Sequence, residues 1–372
     1  MRLIYLYTHD GSAEYGYPFD LQNPPTTENY FAKSFYTEGT YFLFKRMLEE
    51  KIVDSITVFI EAVRSPGICR DLGPSMPLYV VPSVSSVAGY LRPGDIIYVR
   101  GGFRSWFSLL DRVQNDHWIL FYGAATQRWR WLFWDVVFDD LNDTTYLDSK
   151  ERLHLAFQKP TNPDLFRPIE KDKRYDICIG ASHIHDKKGQ WRTVNALVEY
   201  RRRFLRDLDC IMPGRFFKGE HTNQIPKVIE DNELDRIEFP GMLQRTDMAE
   251  VYSRCKLYVH LATAGQNDRG PLEAMRCGTP SMIGFPRYHP PVLGKTPGIS
   301  ETAKNPDDPV QTAIDIHEML NRLATKEEVF KFHEEKMGIE SVILPFMDRL
   351  FSFLRRSPNK DRPSLWKEYL SC

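Results

Sequence analysis

Along the first 140 residues, short apolar runs alternate with longer stretches of helical spacing. The runs at Leu3–Tyr7, Ser55–Ile60, Leu78–Val81, Ile96–Val99, Trp118–Tyr122 and Asp135–Phe138 are apolar nearly throughout, the pattern of strands covered on both faces in a parallel sheet. Between the first two, residues 34–50 carry Phe35, Tyr41, Phe42, Phe44, Met47 and Leu48 at helical periodicity. The segment from Asp10 to Phe31 is rich in Gly, Pro, Asn and Thr, and a loop of that length in a compact domain is usually functional. At Phe157 to Lys173 the alternation stops, with Pro160, Pro163 and Pro168 and little periodicity. It then restarts with strand Asp176–Gly180, helix Trp191–Leu208, strand Cys210–Pro213, a helix from about Asn223, strand Ile237–Phe239, helix Asp247–Cys255 and strand Leu257–Leu261. The expectation is an α/β chain of two similar halves, residues 1–157 and 174–339, joined by a linker at 158–173 and closed by a terminal helical stretch at 340–372.

Composition narrows the function. At 372 residues, two domains are the natural expectation. Lys and Arg number 49 against 50 Asp and Glu, so no net field exists to hold a polyanion, and nucleic acid is not expected as a partner. Six scattered cysteines without a C-x-x-C pair read as reduced thiols of a cytoplasmic protein, and no metal site is expected. The start, Met1 to Tyr7, is too short and too quickly polar for a signal peptide.

The richest segment runs from Arg269 to Pro280. Pro271 fits the first turn of a short helix and Gly278 its left-handed stop. Gly270 and Leu272 would then offer backbone N–H groups to a phosphate, Pro271 having none to give, with Glu273 reaching toward a ribose diol. An ordinary capped helix with a dipole-favourable acid fits the same residues. Lys187-Lys188-Gly189, after the Asp176–Gly180 strand, reads either as a phosphate-neutralising loop or as a solvated pair. Thr126 to Trp134 interleaves Arg with Trp, which fits sugar stacking, nucleic acid or an amphipathic element with snorkelling arginines. Arg201-Arg202-Arg203 and Arg355-Arg356 read as solvated helix faces, peripheral contact with anionic lipid being the sharper alternative.

In order, Asn162 to Pro168, Gly180 through Lys188-Gly189, Phe239-Pro240-Gly241-Met242-Leu243, Met248 to Tyr252 and Leu272-Glu273-Ala274-Met275-Arg276-Cys277-Gly278-Thr279-Pro280 resemble the donor domain of family 4 glycosyltransferases. The resemblance implies the GT-B architecture: two facing Rossmann-like domains with parallel sheets and an interdomain cleft, the first binding the acceptor and the second the donor. It implies a retaining, metal-independent transfer, without a resident cofactor, from a nucleoside diphosphate sugar, UDP- or GDP-linked, to a hydroxyl of a glycan or glycoconjugate. Lys188, Asp268 and Arg269 are the implied catalytic residues. Gly11, Ser12, Gly180, Lys188, Gly241, Met242, Leu243, Gly270, Pro271, Leu272 and Glu273 are the implied donor-binding residues. The chain departs from the family at Gly265, where an acid is usual, and at Ala181, where an Arg is usual. These departures keep two other readings open, a sugar-nucleotide-binding module without turnover and a sugar-nucleotide epimerase. The base, the sugar, the acceptor and the oligomeric state are left undetermined.

Overall fold

A computed structural model describes residues 1–9, 35, 38–62, 68–71, 76–81, 84–100, 106–122, 134–139, 144–180, 183–263, 269–357 and 362–371. The chain divides into two compact units, Met1–Pro160 with Ile339–Cys372, and Thr161–Gly338.

The first unit opens with β1 (Arg2–His9), α1 (Gly39–Glu49), β2 (Ser55–Ala62), β3 (Ile68–Asp71), β4 (Pro77–Val81), β5 (Ile96–Arg100), α2 (Phe107–Val113), β6 (Trp118–Tyr122), β7 (Val136–Asp139), β8 (Tyr146–Leu147) and β9 (Leu153–Ala156). They form one sheet in the order β3-β4-β2-β1-β5-β6-β7-β9-β8, parallel except at the edges, where β3 and β8 run antiparallel to their neighbours. The six expected strands are all present, Trp118–Tyr122 at its expected bounds and the others extended or shifted by one or two residues. Helix α1 starts at Gly39 after Glu38 in extended conformation, and Leu43, Phe44 and Met47 lie on its buried face; of residues 34–37 only Phe35 is described, and it is helical.

The second unit contains β10 (Tyr175–Ile179), β11 (His183–Ile184), α3 (Gln190–Phe204), β12 (Cys210–Ile211), β13 (Arg215–Phe216), α4 (Ile225–Asp231), β14 (Ile237–Glu238), α5 (Arg245–Ser253), β15 (Cys255–His260), α6 (Gly270–Arg276), β16 (Ser281–Ile283), β17 (Lys295–Thr296), β18 (Ser300–Thr302), α7 (Pro309–Leu320) and α8 (Lys326–Met337). Its main sheet has the order β14-β12-β10-β15-β16-β18-β17, parallel except for the β17–β18 edge. Helix α3 ends at Phe204 rather than running to Leu208, because Leu205 turns left-handed at φ 50°. On its last turn Arg202 and Arg203 are exposed, and Arg201 pairs with Asp207 at 2.6 Å and Arg202 with Glu199 at 2.7 Å.

The chain then returns to the first unit with α9 (Leu344–Arg356) and α10 (Arg362–Ser371). Met347, Leu350, Phe351, Phe353 and Trp366 of these helices are buried in one core with Leu3, Tyr5, Phe44, Val58 and Tyr98 of the sheet and α1. No helix among the described residues is long and apolar enough to cross a membrane.

Candidate functional site

Each sheet reverses its winding once. In the second unit, β12 and β14 lie on one side of β10 while β15, β16 and β18 lie on the other. The crevice outside the carboxyl ends of β10 and β15 is therefore the topological switch point, where open α/β sheets bind ligands.

Five pieces of chain lie beyond the carboxyl ends of the strands on either side of it. The first is Gly180, one residue beyond β10. Its carbonyl accepts a hydrogen bond from the Tyr258 hydroxyl, and a Cβ on Gly180 would stand 2.8 Å from the Tyr258 ring. A Cβ on Gly270 would likewise overlap the Tyr258 hydroxyl. Both glycines are thus required by the close packing of one fully buried tyrosine.

The second piece is the turn His185–Gly189, which carries the lysines. The His185 side chain accepts from the Lys187 N–H at 3.1 Å, and the Lys188 N–H donates to the His185 carbonyl at 2.8 Å. Burial opposes ionisation of Asp186, but hydrogen bonds from Thr222 and from the backbone N–H groups of Thr222, His221 and Glu220 outweigh it and hold the carboxyl below its usual range. Gly189 closes the turn at φ 76°, pressed against the Leu261 carbonyl where no side chain fits. The third piece, Thr263 beyond β15, donates its N–H to the Lys187 carbonyl at 2.9 Å. Lys187 is exposed and Lys188 half-buried, both on a turn fixed to the end of β15.

The fourth piece is α6. Pro271 occupies its first turn, Gly278 follows it at φ 78°, and the helix has no side-chain cap. Arg269 is half-buried at its start and its carbonyl receives the Glu273 N–H at 2.8 Å. The Leu272 side chain points into a core with Ile283, Leu293 and Val329, so only its backbone is placed to serve a ligand. Glu273 is 7% exposed and its Oε1 is taken by Arg245, the first residue of α5. The Arg245 guanidinium also lies over the Phe166 ring, 5.5 Å from its centroid. Phe166 in turn belongs to the segment Asn162–Phe166, whose carbonyls at Pro163 and Phe166 receive Arg276 from the end of α6. The fifth piece, Gly241-Met242-Leu243 after β14, is tied to the loop beyond β12 by the Gly214 N–H to the Gly241 carbonyl at 2.8 Å.

Of the sequence-expected residues, Gly180, Lys188, Gly241, Met242, Leu243, Arg269, Gly270, Pro271, Leu272 and Glu273 thus all lie on loops or helix starts of the second unit. Gly11, Ser12, Asp268, Gly265, Ala181 and the Arg/Trp stretch up to Phe133 lie outside the described residues. Sequence reasoning missed Arg245 and Tyr258. Both act through partners distant in the chain, and an Arg opening a helix or a Tyr inside a strand gives no local signal.

The first unit has its own switch point, between β1 and β5. Arg100, ending β5, pairs there with Glu38 and lies over the Tyr7 ring at 5.2 Å. Burial pushes the neighbouring Tyr5 hydroxyl up to about 12. His117 is buried with Nδ1 3.1 Å from the Asp95 carbonyl. Among the described residues no cluster of His, Cys, Asp and Glu could hold a metal ion.

Residues 162–306 match the family described as glycosyl transferases group 1. No curated protein sequence matches the chain. Solved structures similar in fold include an E. coli trehalose-6-phosphate structure bound with UDP-2-fluoro glucose, 8% identical over 95% of this chain and 99% of that one, with a TM-score of 0.65. A glycosyltransferase from Rickettsia africae ESF-5 is 14% identical over 97% and 99%, at 0.61. Anabaena HepE in complex with UDP and glucose is 13% identical over 94% and 99%, at 0.60. The likeness at these identities is one of fold, and the two mostly parallel α/β sheets with their helices are those of the GT-B glycosyltransferases.

Proposed function

We propose that this protein is a retaining glycosyltransferase that moves a sugar from a nucleoside diphosphate sugar, UDP- or GDP-linked, to a hydroxyl of a glycan or glycoconjugate. One observation carries the reading. In the second unit a lysine turn is fixed to the chain just beyond β15, and the helix that follows, α6, carries near its start a buried carboxylate, Glu273, held by Arg245. The match of residues 162–306 to group 1 glycosyl transferases supports it.

In this reading Lys188 neutralises the diphosphate as a point charge, assisted by Arg269. Glu273 uses the oxygen that Arg245 does not hold to accept from the ribose hydroxyls. The bond between the anomeric carbon and the leaving phosphate oxygen breaks while the acceptor oxygen bonds the same face of the sugar. The acceptor proton passes to an oxygen of the departing diphosphate. Charge building on that group is stabilised by donors already in place, the form of catalysis that loses least to reorganisation. Asp268 is the acid assigned to the neighbourhood of the transferred sugar. The scheme places no metal on the diphosphate: the Asp207-Leu208-Asp209 pair of the donor half precedes β12, at the end of the strand away from the crevice, and Asp207 is held by Arg201. The scattered cysteines fit a cytoplasmic setting.

The test is release of nucleotide from UDP-, GDP-, ADP- and TDP-sugars by the purified protein. Lys188→Ala and Glu273→Ala should each lower turnover at least about tenfold, the scale on which single charge-stabilising groups act. Silence across the donor panel sinks the enzyme reading. Gly265, where relatives carry an acid, motivates the second reading, a binding module, which calorimetry reveals as nucleotide binding without release.

A further inference from the structure

Two phenylalanines of the second unit stand in solvent side by side. Phe216 on β13 is 42% exposed and Phe239, directly after β14, is 40% exposed. Their ring centroids are 5.8 Å apart with the planes inclined at 40°. Around them Arg215, Lys218, Glu238 and Gly241 are exposed, and Phe217 and Pro240 are half-buried. An apolar patch two rings wide is far smaller than the 20–30 residues a stable protein interface uses on each side, and it matches a small flat ligand.

The pair is built into the strand-end loops of the donor site. Ile184 pairs with Phe216 in the β11–β13 ladder, and the Phe217 N–H donates to the Ile184 carbonyl at 3.0 Å. Strand β11 leads directly into the turn that carries Lys187 and Lys188. Phe239 enters the Gly241–Leu243 loop, which the Gly214 N–H ties to the chain just before Phe216. At Gly241, φ is 72°, and among the described residues nothing lies within 4 Å of where a Cβ would be, so the surface beside Phe239 is open.

We infer that Phe216 and Phe239 form the stacking platform for the base of the donor nucleotide. The inference rests on the donor-site reading and extends it: the lysine turn takes the diphosphate and the aromatic pair takes the base. The π-face of any base stacks on such a platform, whereas the backbone groups of Gly241–Leu243 meet its edge. Affinity for the base thus comes from the rings, and the choice among bases from the loop.

Calorimetry with UDP, GDP, ADP and inorganic pyrophosphate, on the whole protein, separates the terms. Phe216→Ala and Phe239→Ala are each expected to weaken the best-bound nucleoside diphosphate by about tenfold or more. Pyrophosphate should bind within about twofold of wild type, and Phe216→Tyr and Phe239→Tyr should retain nucleotide affinity. Wild-type nucleotide affinity in both alanine variants overturns the platform while leaving the donor site standing. Equal loss of pyrophosphate overturns it too, because the rings then act through the fold. A changed sedimentation coefficient with unchanged nucleotide affinity reassigns the pair to contact between copies. If wild type binds no nucleotide, the donor-site reading falls and the platform with it.

Discussion

Replacing Arg245 by alanine isolates the interaction on which the donor site depends. The pair it forms with Glu273 has side chains only 18% and 9% exposed, so removing the guanidinium leaves a carboxylate in a nearly closed place. Breaking a buried pair from one side costs about 3–5 kcal/mol, and the partial exposure of Arg245 puts the expected loss near the lower end, about 3 kcal/mol. The lost contact with the Phe166 face adds to this by roughly 0.5–1 kcal/mol. For a unit of this size, 3 kcal/mol lowers Tm by roughly 6–12 °C, read by circular dichroism. Glu273→Gln in the Arg245→Ala background should recover part of that loss, since no uncompensated charge remains. The double replacement Arg245→Met with Glu273→Leu should return to within about 1 kcal/mol of wild type. It should nevertheless lose nucleotide binding, because the ribose acceptor is gone. A second readout separates positioning from stability. Wild type should prefer UDP or GDP over the 2′-deoxy form, and Arg245→Ala should erode that preference at a temperature where it is folded. An Arg245→Ala variant as stable as wild type, or a Met/Leu double variant that still binds nucleotide, would refute the reasoning.

Other outcomes follow from the packing. Gly189→Ala forces a side chain into a φ 76° turn against the Leu261 carbonyl, at a cost of about 1–3 kcal/mol or more, and should weaken pyrophosphate binding by displacing Lys188; chemical denaturation and calorimetry check both. Burial opposes ionisation of Asp148, but hydrogen bonds from the Arg152 side chain and from the backbone of Arg152 and Lys150 outweigh it and lower the carboxyl to about 2. Its stabilising contribution is therefore complete above about pH 4, the ordinary aspartate value, and is lost as pH falls toward 2; Asp148→Asn should flatten the acid limb of a Tm–pH curve in that window. Burial also lowers the pKa of His333, so that group favours the folded state above the ordinary histidine value of about 6.5 and opposes it as pH falls; His333→Phe should reduce the loss of Tm between about pH 7 and 5. Burial pushes the thiols of Cys178 and Cys210 well above their ordinary value and that of Cys277 to about 12, so all three should resist a thiol reagent until the protein is denatured.

The strands were legible because those of a parallel sheet are apolar on both faces. Trp118–Tyr122 is found at the bounds its composition marks. Two-residue strands such as β12 and β14 carry too few positions to fix their ends, and β18 lies in a segment, Leu293 to Thr302, with no apolar run to announce it. Helix α3 stops where Leu205 adopts a left-handed conformation, a backbone choice that a leucine does not advertise. In the site, Glu273 and Lys188 stood out because charge near a helix start or strand end has a local physical reading. Gly180 and Gly270 stood out for a different reason from the one that the structure gives, since both make room for Tyr258.

By itself, then, the sequence determined the alternation that builds two parallel sheets, the helix between Pro271 and Gly278, and the residue types available for a diphosphate. These are short-range properties, set by periodicity, propensity and capping. Only the tertiary structure decided which charges meet. Arg245 and Glu273 are joined and Lys187 is tied to Thr263 because the winding of the sheet reverses between β10 and β15 and brings distant loops to one edge, and Phe216 is set beside Phe239 because β12 and β14 pair directly. Partners so far apart in the chain leave no spacing to read, since their distance is fixed by strand order and not by the residues between them.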